Sequence, residues 1–290
     1  MRPPFTDTHV HFHDFSHPTL RWDWLLPDAP ADPDLGDYGA IKAQRYLPDD
    51  FLAETRFHAV ERVVHVQAAI GSPDPVEETA WLQQHADRIG APHGIIAYAN
   101  LEDAQVGETL RRHKAFSNFR GIRDLRYDDY LTSEAWLRGF ALLEGDNLVY
   151  CDDPLVEHMP QLAKVAHRHP GVTVCVDHAG FPRRRDPDYF QEWRRGMAAL
   201  ADCENTVVKI SGLGQCDHEW TVESLRPWVR GCIELWGARR SFFGTNWPVD
   251  RLFSSYGDVV AAYSELISDF SESERHDLFT GNARRVFRLD

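Results

Sequence analysis

Residues 172–182 read VTVCVDHAGFP: a short run of mainly β-branched, apolar residues, then Asp177 and His178, then Gly180 and Pro182. β-Branched residues favour a strand, and the glycine and proline mark where it turns away. A buried strand with an aspartate and a histidine at its tip is the reading. The same pattern recurs along the chain. Strands are predicted for Phe5–His11, Arg62–Gln67, Gly94–Ala99, Phe119–Leu125, Asn147–Cys151, Val172–Asp177, Val207–Ser211 and Ser241–Thr245. Between them lie stretches such as PVEETAWLQQHADRIG, VGETLRRHKAF, MPQLAKVAHRHP and DYFQEWRRGMAALADC, with apolar residues three and four apart, the spacing of amphipathic helices. Eight strands alternating with helices in 290 residues point to a distorted (β/α)8 TIM barrel, a single domain over residues 1–290. An open doubly wound sheet would share the linear pattern, but the count and length favour the barrel. The main insertion follows strand one, from Phe12 to about Pro48, and reads as a long loop over one barrel mouth.

Composition excludes several functions. Lys and Arg number 31 against 45 Asp and Glu, and the net charge of -14 repels phosphate backbones and anionic lipid surfaces. Neither nucleic acid nor membrane is an expected partner. No apolar run approaches the roughly 20 residues of a membrane helix, and the first residues lack a signal-peptide pattern, so a cytoplasmic protein is expected. Five scattered cysteines with no CxxC pair predict reduced, largely buried thiols.

Barrel enzymes carry their chemistry at the C-terminal ends of the strands. Those ends bring together His9 and His11, Gln67, Arg123 and Asp124, Asp152 and Asp153, Asp177 and His178, Lys209 and Ser211, and Asn246. Residues two apart in a strand share a face, so His9 and His11 should project together, with Asp7 one step deeper. So many polar residues at different strand ends are hard to explain as surface decoration, because buried charges need partners. His13 and His17, in the insertion, read as solvated. Trp22, Trp24, Tyr38 and Trp247 are candidates to line an apolar pocket, and Arg126 or the Arg183–Arg185 run to add positive charge at its mouth. Arg123 offers a fork suited to a substrate carboxylate.

The segments DTHVHF, VVHVQAA, FRGIRDLRYD, VCVDHAGFP, VVKISGL, FFGTNWPV and LFTGNARRVFRL resemble, in order, the signatures of the amidohydrolase-2 family. They are most similar to its branch of 2-pyrone-4,6-dicarboxylate and sugar-acid lactonases. The resemblance implies hydrolysis of a small carboxylated or hydroxylated lactone in carbohydrate or aromatic catabolism. It implies catalytic roles for His9, His11, His178 and Asn246, and substrate contacts from Trp24, Gln67, Arg123 and Lys209; Asp152, at the end of strand five, and Trp247, beside Asn246, are further candidate contacts from their positions alone. No cofactor is the expectation; the alternative is a divalent zinc or manganese ion on His9, His11 and His178. A homo-oligomer stays open. Asn246 stands where most such relatives carry the aspartate of GSDWPV, the residue held to activate water, and a neutral amide is a poor proton acceptor. The replacement base is then His178, Asp152 or Asp250, and a carboxylate restored at position 246 is expected to raise hydrolysis. Two other readings remain: a metal-dependent decarboxylase or hydrolase of the same superfamily, and a binding protein that has lost hydrolysis.

Overall fold

The strands run β1 Phe5–Val10, β2 Val60–Val66, β3 Gly94–Ala97, β4 Phe119–Arg123, β5 Val149–Asp152, β6 Thr173–Val176, β7 Thr206–Ile210 and β8 Ser241–Phe243. In this computed structural model, which describes residues 4–289, they form one parallel sheet in sequential order. A parallel bridge between Val10 and Trp247 brings the two edges together, and the His11 N–H donates to the Trp247 carbonyl at 2.8 Å. The sheet is thus the expected (β/α)8 barrel. The principal helices are α1 Pro48–Thr55, α2 Val76–Ile89, α3 Val106–His113, α4 Glu134–Ala141, α5 Met159–Arg168, α6 Pro187–Ala201, α7 Val222–Trp236 and α8 Tyr256–Leu266, with α9 Glu272–His276 and α10 Asn282–Phe287 at the end. Most strands stop a residue or two before the sequence reading placed them. Their polar tips leave the ladder to turn into the loops that build the site.

Alternate strand residues serve two cores, as the period of two requires. Ile95, Ile122, Tyr150, Val174, Val208 and Phe243 pack outward with the helix layer. Val64, Val66, Ile96, Val149, Cys151, Cys175, Val207 and Phe242 form a separate cluster with Ala283, Phe287 and Leu289, so the C-terminal segment plugs the barrel floor. The cysteines are free, and all but Cys216 are buried. No helix among the described residues is long and apolar enough to cross a membrane.

β1 departs from a regular strand. Asp7 pairs with Val63 and Val10 with His65, so three steps on β1 match two on β2. The extra residue is a bulge, which re-aims side chains. Asp7 therefore does not lie on the His9 face as simple alternation predicts; its carboxylate turns to β8 and α8, accepting from the Thr245 N–H, the Thr245 hydroxyl and the Tyr256 hydroxyl.

The insertion is more ordered than a long loop need be. It holds two single 3-10 turns, Asp23–Leu25 and Gly39–Ile41, and buries Trp22, Leu25, Leu35, Tyr38, Ile41 and Tyr46. His13, expected in solvent, is buried instead: its Nδ1 bonds the Gln44 carbonyl at 2.7 Å, and its backbone exchanges two hydrogen bonds with Tyr46. These bonds close the insertion on itself where it returns towards α1.

Candidate active site at the C-terminal barrel mouth

A cavity of about 190 Å³ opens at the strand tips. Its wall includes His11, Trp24, Gln67, Arg123, His178 and Asn246, six of the ten residues expected to take part in catalysis or to touch substrate, together with Asp153, Tyr127, Gln215 and Phe181. From the insertion come Asp32, Asp34 and Leu35. The insertion is held over the mouth by Asp34, whose carboxylate meets Arg183 at 3.3 Å and whose carbonyl lies 2.8 Å from His218 Nε2.

The backbone of the site is strained where it carries function. His178, Ala179, Phe181 and Asn246 all have positive φ, between 44° and 59°, a region unfavourable for side chains other than glycine and, less so, Asn or Asp. Such outliers cluster at active sites, where the surroundings over-determine them. Gly212 shows how tightly they do so: its φ is +61°, and a Cβ there would sit 2.4 Å from His178 Nδ1. His178 needs that space to place Nδ1 3.0 Å from the Ser211 hydroxyl.

The three histidines meet edge to edge. The His9 ring lies 4.3 Å from His178 and 4.9 Å from His11, centroid to centroid. Burial, then the neighbouring His178 and Lys209 charges, holds the His9 pKa well below the usual range. Burial, then Arg123 and Lys209, does the same to His178, and burial, then Arg123 and His65, brings His11 down to about 3. All three imidazoles are neutral at pH 7.

Beneath them runs a row of alternating charges. Lys209 Nζ lies 2.9 Å from Asp177 Oδ1, Asp177 Oδ2 lies 3.8 Å from Arg123 Nε, and Arg123 Nη2 donates to Asp153 Oδ1 at 3.1 Å. Burial opposes the charges of Lys209 and Arg123, but the carboxylates raise both pKa values. Arg123 therefore does not offer the open fork expected for a substrate carboxylate, because Asp153 and Asp177 already engage it. Several buried polar atoms here have no hydrogen-bond partner: both His9 ring nitrogens, Gln67 Oε1, Arg123 Nε and Asp177 Oδ2.

Four expected contacts stand away from the cavity wall. His9 and Lys209 are fully buried below it. Asp152 is sequestered by the hydroxyls of Tyr130 at 2.5 Å and Tyr150 at 3.3 Å, with burial driving its pKa well above the carboxylate range. Trp247 is buried behind β8, donating from Nε1 to Glu54 at 3.0 Å and packing edge-on against Tyr256. Trp22 and Tyr38 belong to the core of the insertion, leaving Trp24 as the pocket tryptophan, fixed by its Nε1 bond to the Ala68 carbonyl at 2.8 Å. The expected mouth cations are also committed: Arg126 to Glu102 and Asp128, Arg183 to Asp34, Arg184 to Asp186, and Arg185 to backbone carbonyls. Asp153 was visible beside Asp152 in the sequence, but only the direction of the chain after β5 shows which of the two reaches the cavity.

The three histidines do not form the donor set expected for a divalent ion. Among the described residues, the group of three or more His, Cys, Asp and Glu side chains whose ligand atoms lie within 4.8 Å of one another is Cys151, Cys175 and Asp177, not the histidines. The Lys209 ammonium already fills that cluster, 2.9 Å from Asp177 Oδ1 and 3.9 Å from Cys151 Sγ. Lys209 and Arg123 both act as positive charges on His9 and His178 and would repel a second cation.

Comparison with known proteins agrees with this architecture. The amidohydrolase family model matches residues 6–289. The uncharacterized protein y4mH of Sinorhizobium fredii is 35% identical, the alignment covering 96% of this chain and 97% of that one. An L-fucono-1,5-lactonase of Burkholderia multivorans is 26% identical, over 98% and 95% of the two chains. A solved amidohydrolase structure from Burkholderia multivorans with bound zinc superposes with a TM-score of 0.84 over 99% of this chain and 100% of that one, at 24% identity, and so shares the fold. The barrel, its ordered strand-end signatures and the family match together place this chain in the amidohydrolase family.

Proposed function

We propose that the protein is a hydrolase that opens a small, neutral, hydroxylated lactone by attack of water on the ring carbonyl, without a tightly bound metal. The observation that carries this reading is the pair of unpartnered buried polar atoms on the cavity wall, Gln67 Oε1 and Arg123 Nε, with those of His9 and Asp177, whose Nδ1 and Oδ2 lie 3.6 Å apart, buried behind them. Buried polar groups are normally satisfied, and such a cluster calls for a polar ligand. The 26% identical lactonase supports the reaction class.

Of the three expected bases, His178 is the one on the cavity wall. Asp152 is closed off by two tyrosines, and Asp250 lies behind Asn246. His178 is neutral, and in the tautomer whose Nδ1–H donates to the Ser211 hydroxyl it presents Nε2 as the acceptor for a proton from water. The water oxygen bonds to the carbonyl carbon, and Arg123 Nε–H, which has no hydrogen-bond acceptor and only the Asp177 carboxylate at 3.8 Å, stabilises the oxyanion. As the ring C–O bond breaks, protonated His178 returns its proton to the leaving alkoxide. The hydroxy acid formed then ionises, releasing one proton to solution.

The cavity's charge supports a neutral substrate over a carboxylated one. Asp32, Asp34 and Asp153 face it; Asp34 is paired with Arg183 and Asp153 with Arg123, its lining cation, so no unpaired cation is left on the wall to receive a carboxylate. Carboxylates are good acceptors for sugar hydroxyls and repel anions. A panel of lactones followed by proton release tests the reading. Hydrolysis of neutral aldonolactones with little action on a pyrone dicarboxylate is expected. Preference for the dicarboxylate would overturn the substrate class, and thermal stabilisation by lactones without turnover would favour a binding protein.

A further inference from the structure

Asn246 is held between two groups that compete for the same end of its amide. On one side lies His11 Nε2, 3.2 Å from one terminal atom of the side chain; on the other lies Asp250 Oδ1, 2.9 Å from the other. His11 Nδ1 is 2.9 Å from the Val66 carbonyl, which can only accept, so Nδ1 carries the hydrogen. A neutral His11 then presents a lone pair at Nε2. An ionised Asp250 is likewise an acceptor. An amide has one donating and one accepting end, so it cannot satisfy two acceptors placed at opposite ends. With the oxygen towards His11, two lone pairs face each other; with the nitrogen towards His11, the oxygen faces a carboxylate. The oxygen and nitrogen of an amide have nearly the same shape, and its orientation follows from the hydrogen bonds.

One additional proton completes the network. We infer that Asp250 is a positioning residue acting as the carboxylic acid: its O–H donates to the Asn246 carbonyl, turning the Asn246 amino group to donate to His11 Nε2. The amide thereby fixes the His11 tautomer and leaves no negative charge at the end of β8.

The surroundings of Asp250 suit that form. It is buried, and the titratable groups that act with it are Asp7 from β1, Tyr263 from α8 and Cys216 from the loop after β7, none of them a cation. The neighbouring Arg251 is turned away to Glu54. Burial raises the Asp250 pKa to about 7 and Asp7 adds to it; the Gly214 backbone opposes this, as does Asn246 when its nitrogen faces the carboxylate.

The proton count is independent of the reaction, whereas the effect on turnover rests on the hydrolase reading, so the experiment has two arms. In the first, infrared difference spectra of wild type minus Asp250→Asn should show a protonated-carboxyl carbonyl band at pH 6 that bleaches as the pH is raised. A carboxylate signature in its place would overturn the inference. Should the variant not fold, nitrogen-15 histidine spectra of the wild type serve the same end: a His11 Nε2 that carries hydrogen would overturn it. In the second arm, Asp250→Asn donates through its amide as the acid does. It should keep most of kcat/KM and lose the alkaline limb, while Asp250→Ala should lower kcat about tenfold, the size of one lost buried hydrogen bond. An Asp250→Asn variant as impaired as Asp250→Ala would show that the carboxylate is required. Loss of turnover on every lactone with the infrared band present would count against the hydrolase reading alone.

Discussion

Asp7 grips Thr245 twice, accepting the backbone N–H at 2.9 Å and the hydroxyl at 2.6 Å. This pair ties the bulge of β1 to the end of β8 immediately beside His9 and Asn246. Replacing Asp7 by Ala leaves those donors and the Tyr256 hydroxyl unsatisfied in a buried site. Asp7→Ala should cost about 1–3 kcal/mol of stability in urea unfolding. Because the Asn246 backbone is strained, it should also lower kcat more than it raises KM.

His178→Ala should lower kcat by about 10²–10⁴-fold, the usual contribution of a positioned base. In the wild type the base must be unprotonated, and its pKa lies well below the ordinary imidazole value. The rate should thus stay level as the pH falls through 6.5 and decline only in more acid solution. A decline centred near 6.5 would assign the base to a solvated group.

Asn246→Asp was expected from the sequence to restore a missing base. The geometry argues for the opposite outcome, since the new carboxyl would stand where the amide now lies 2.9 Å from Asp250. Two carboxyls that close share a proton and titrate as a pair. The variant should lose hydrolysis at neutral pH, as read by kcat/KM, and gain a second titration in its pH profile.

Because the histidine nitrogens do not converge and Lys209 fills the Cys151–Cys175–Asp177 cluster, prolonged chelation should leave the hydrolysis rate unchanged, with added zinc restoring nothing. Loss on chelation with recovery on zinc would overturn the metal-free reading.

Stability should also report on Asp250. Its pKa is raised from 3.8 to about 7 in the folded state, chiefly by burial. The native state therefore binds the proton more tightly, and this contribution, full below pH 4, falls away as the pH rises towards 7. Asp250→Asn removes the term. Measured by urea unfolding at pH 5 and pH 8, the variant should gain on the wild type at the higher pH.

The fold was legible because its signal is periodic. Seven of the eight apolar runs end at a polar tip as VTVCVD does, and eight such runs fit a barrel whatever their boundaries. His11, Gln67, Arg123, His178 and Asn246 could likewise be placed at strand tips by counting. The bulge in β1 could not, since a single extra residue leaves no mark in the pattern of alternation, and it moved Asp7 to the far side of the strand. Asp152 and Asp153 are adjacent and chemically identical, so only the path of the chain after β5 separates the sequestered carboxyl from the one that faces the cavity. The pairing of Arg123 is also a matter of three dimensions. Asp177 lies 54 residues away, and nothing local distinguishes an arginine already engaged from one awaiting a ligand.

The row Lys209–Asp177–Arg123–Asp153 ends at the cavity, and its last member decides the sign presented there. With Asp153 in place the terminal charge is negative. Exchanging that one carboxylate for an amide would leave Arg123 as the end of the row, turning a surface suited to hydroxyls into one suited to anions without moving the backbone. On the lactone reading proposed above, a shift from polyol to acid substrates in this barrel thus needs no new loop. A single mutational step at the end of a charge relay is enough to begin it.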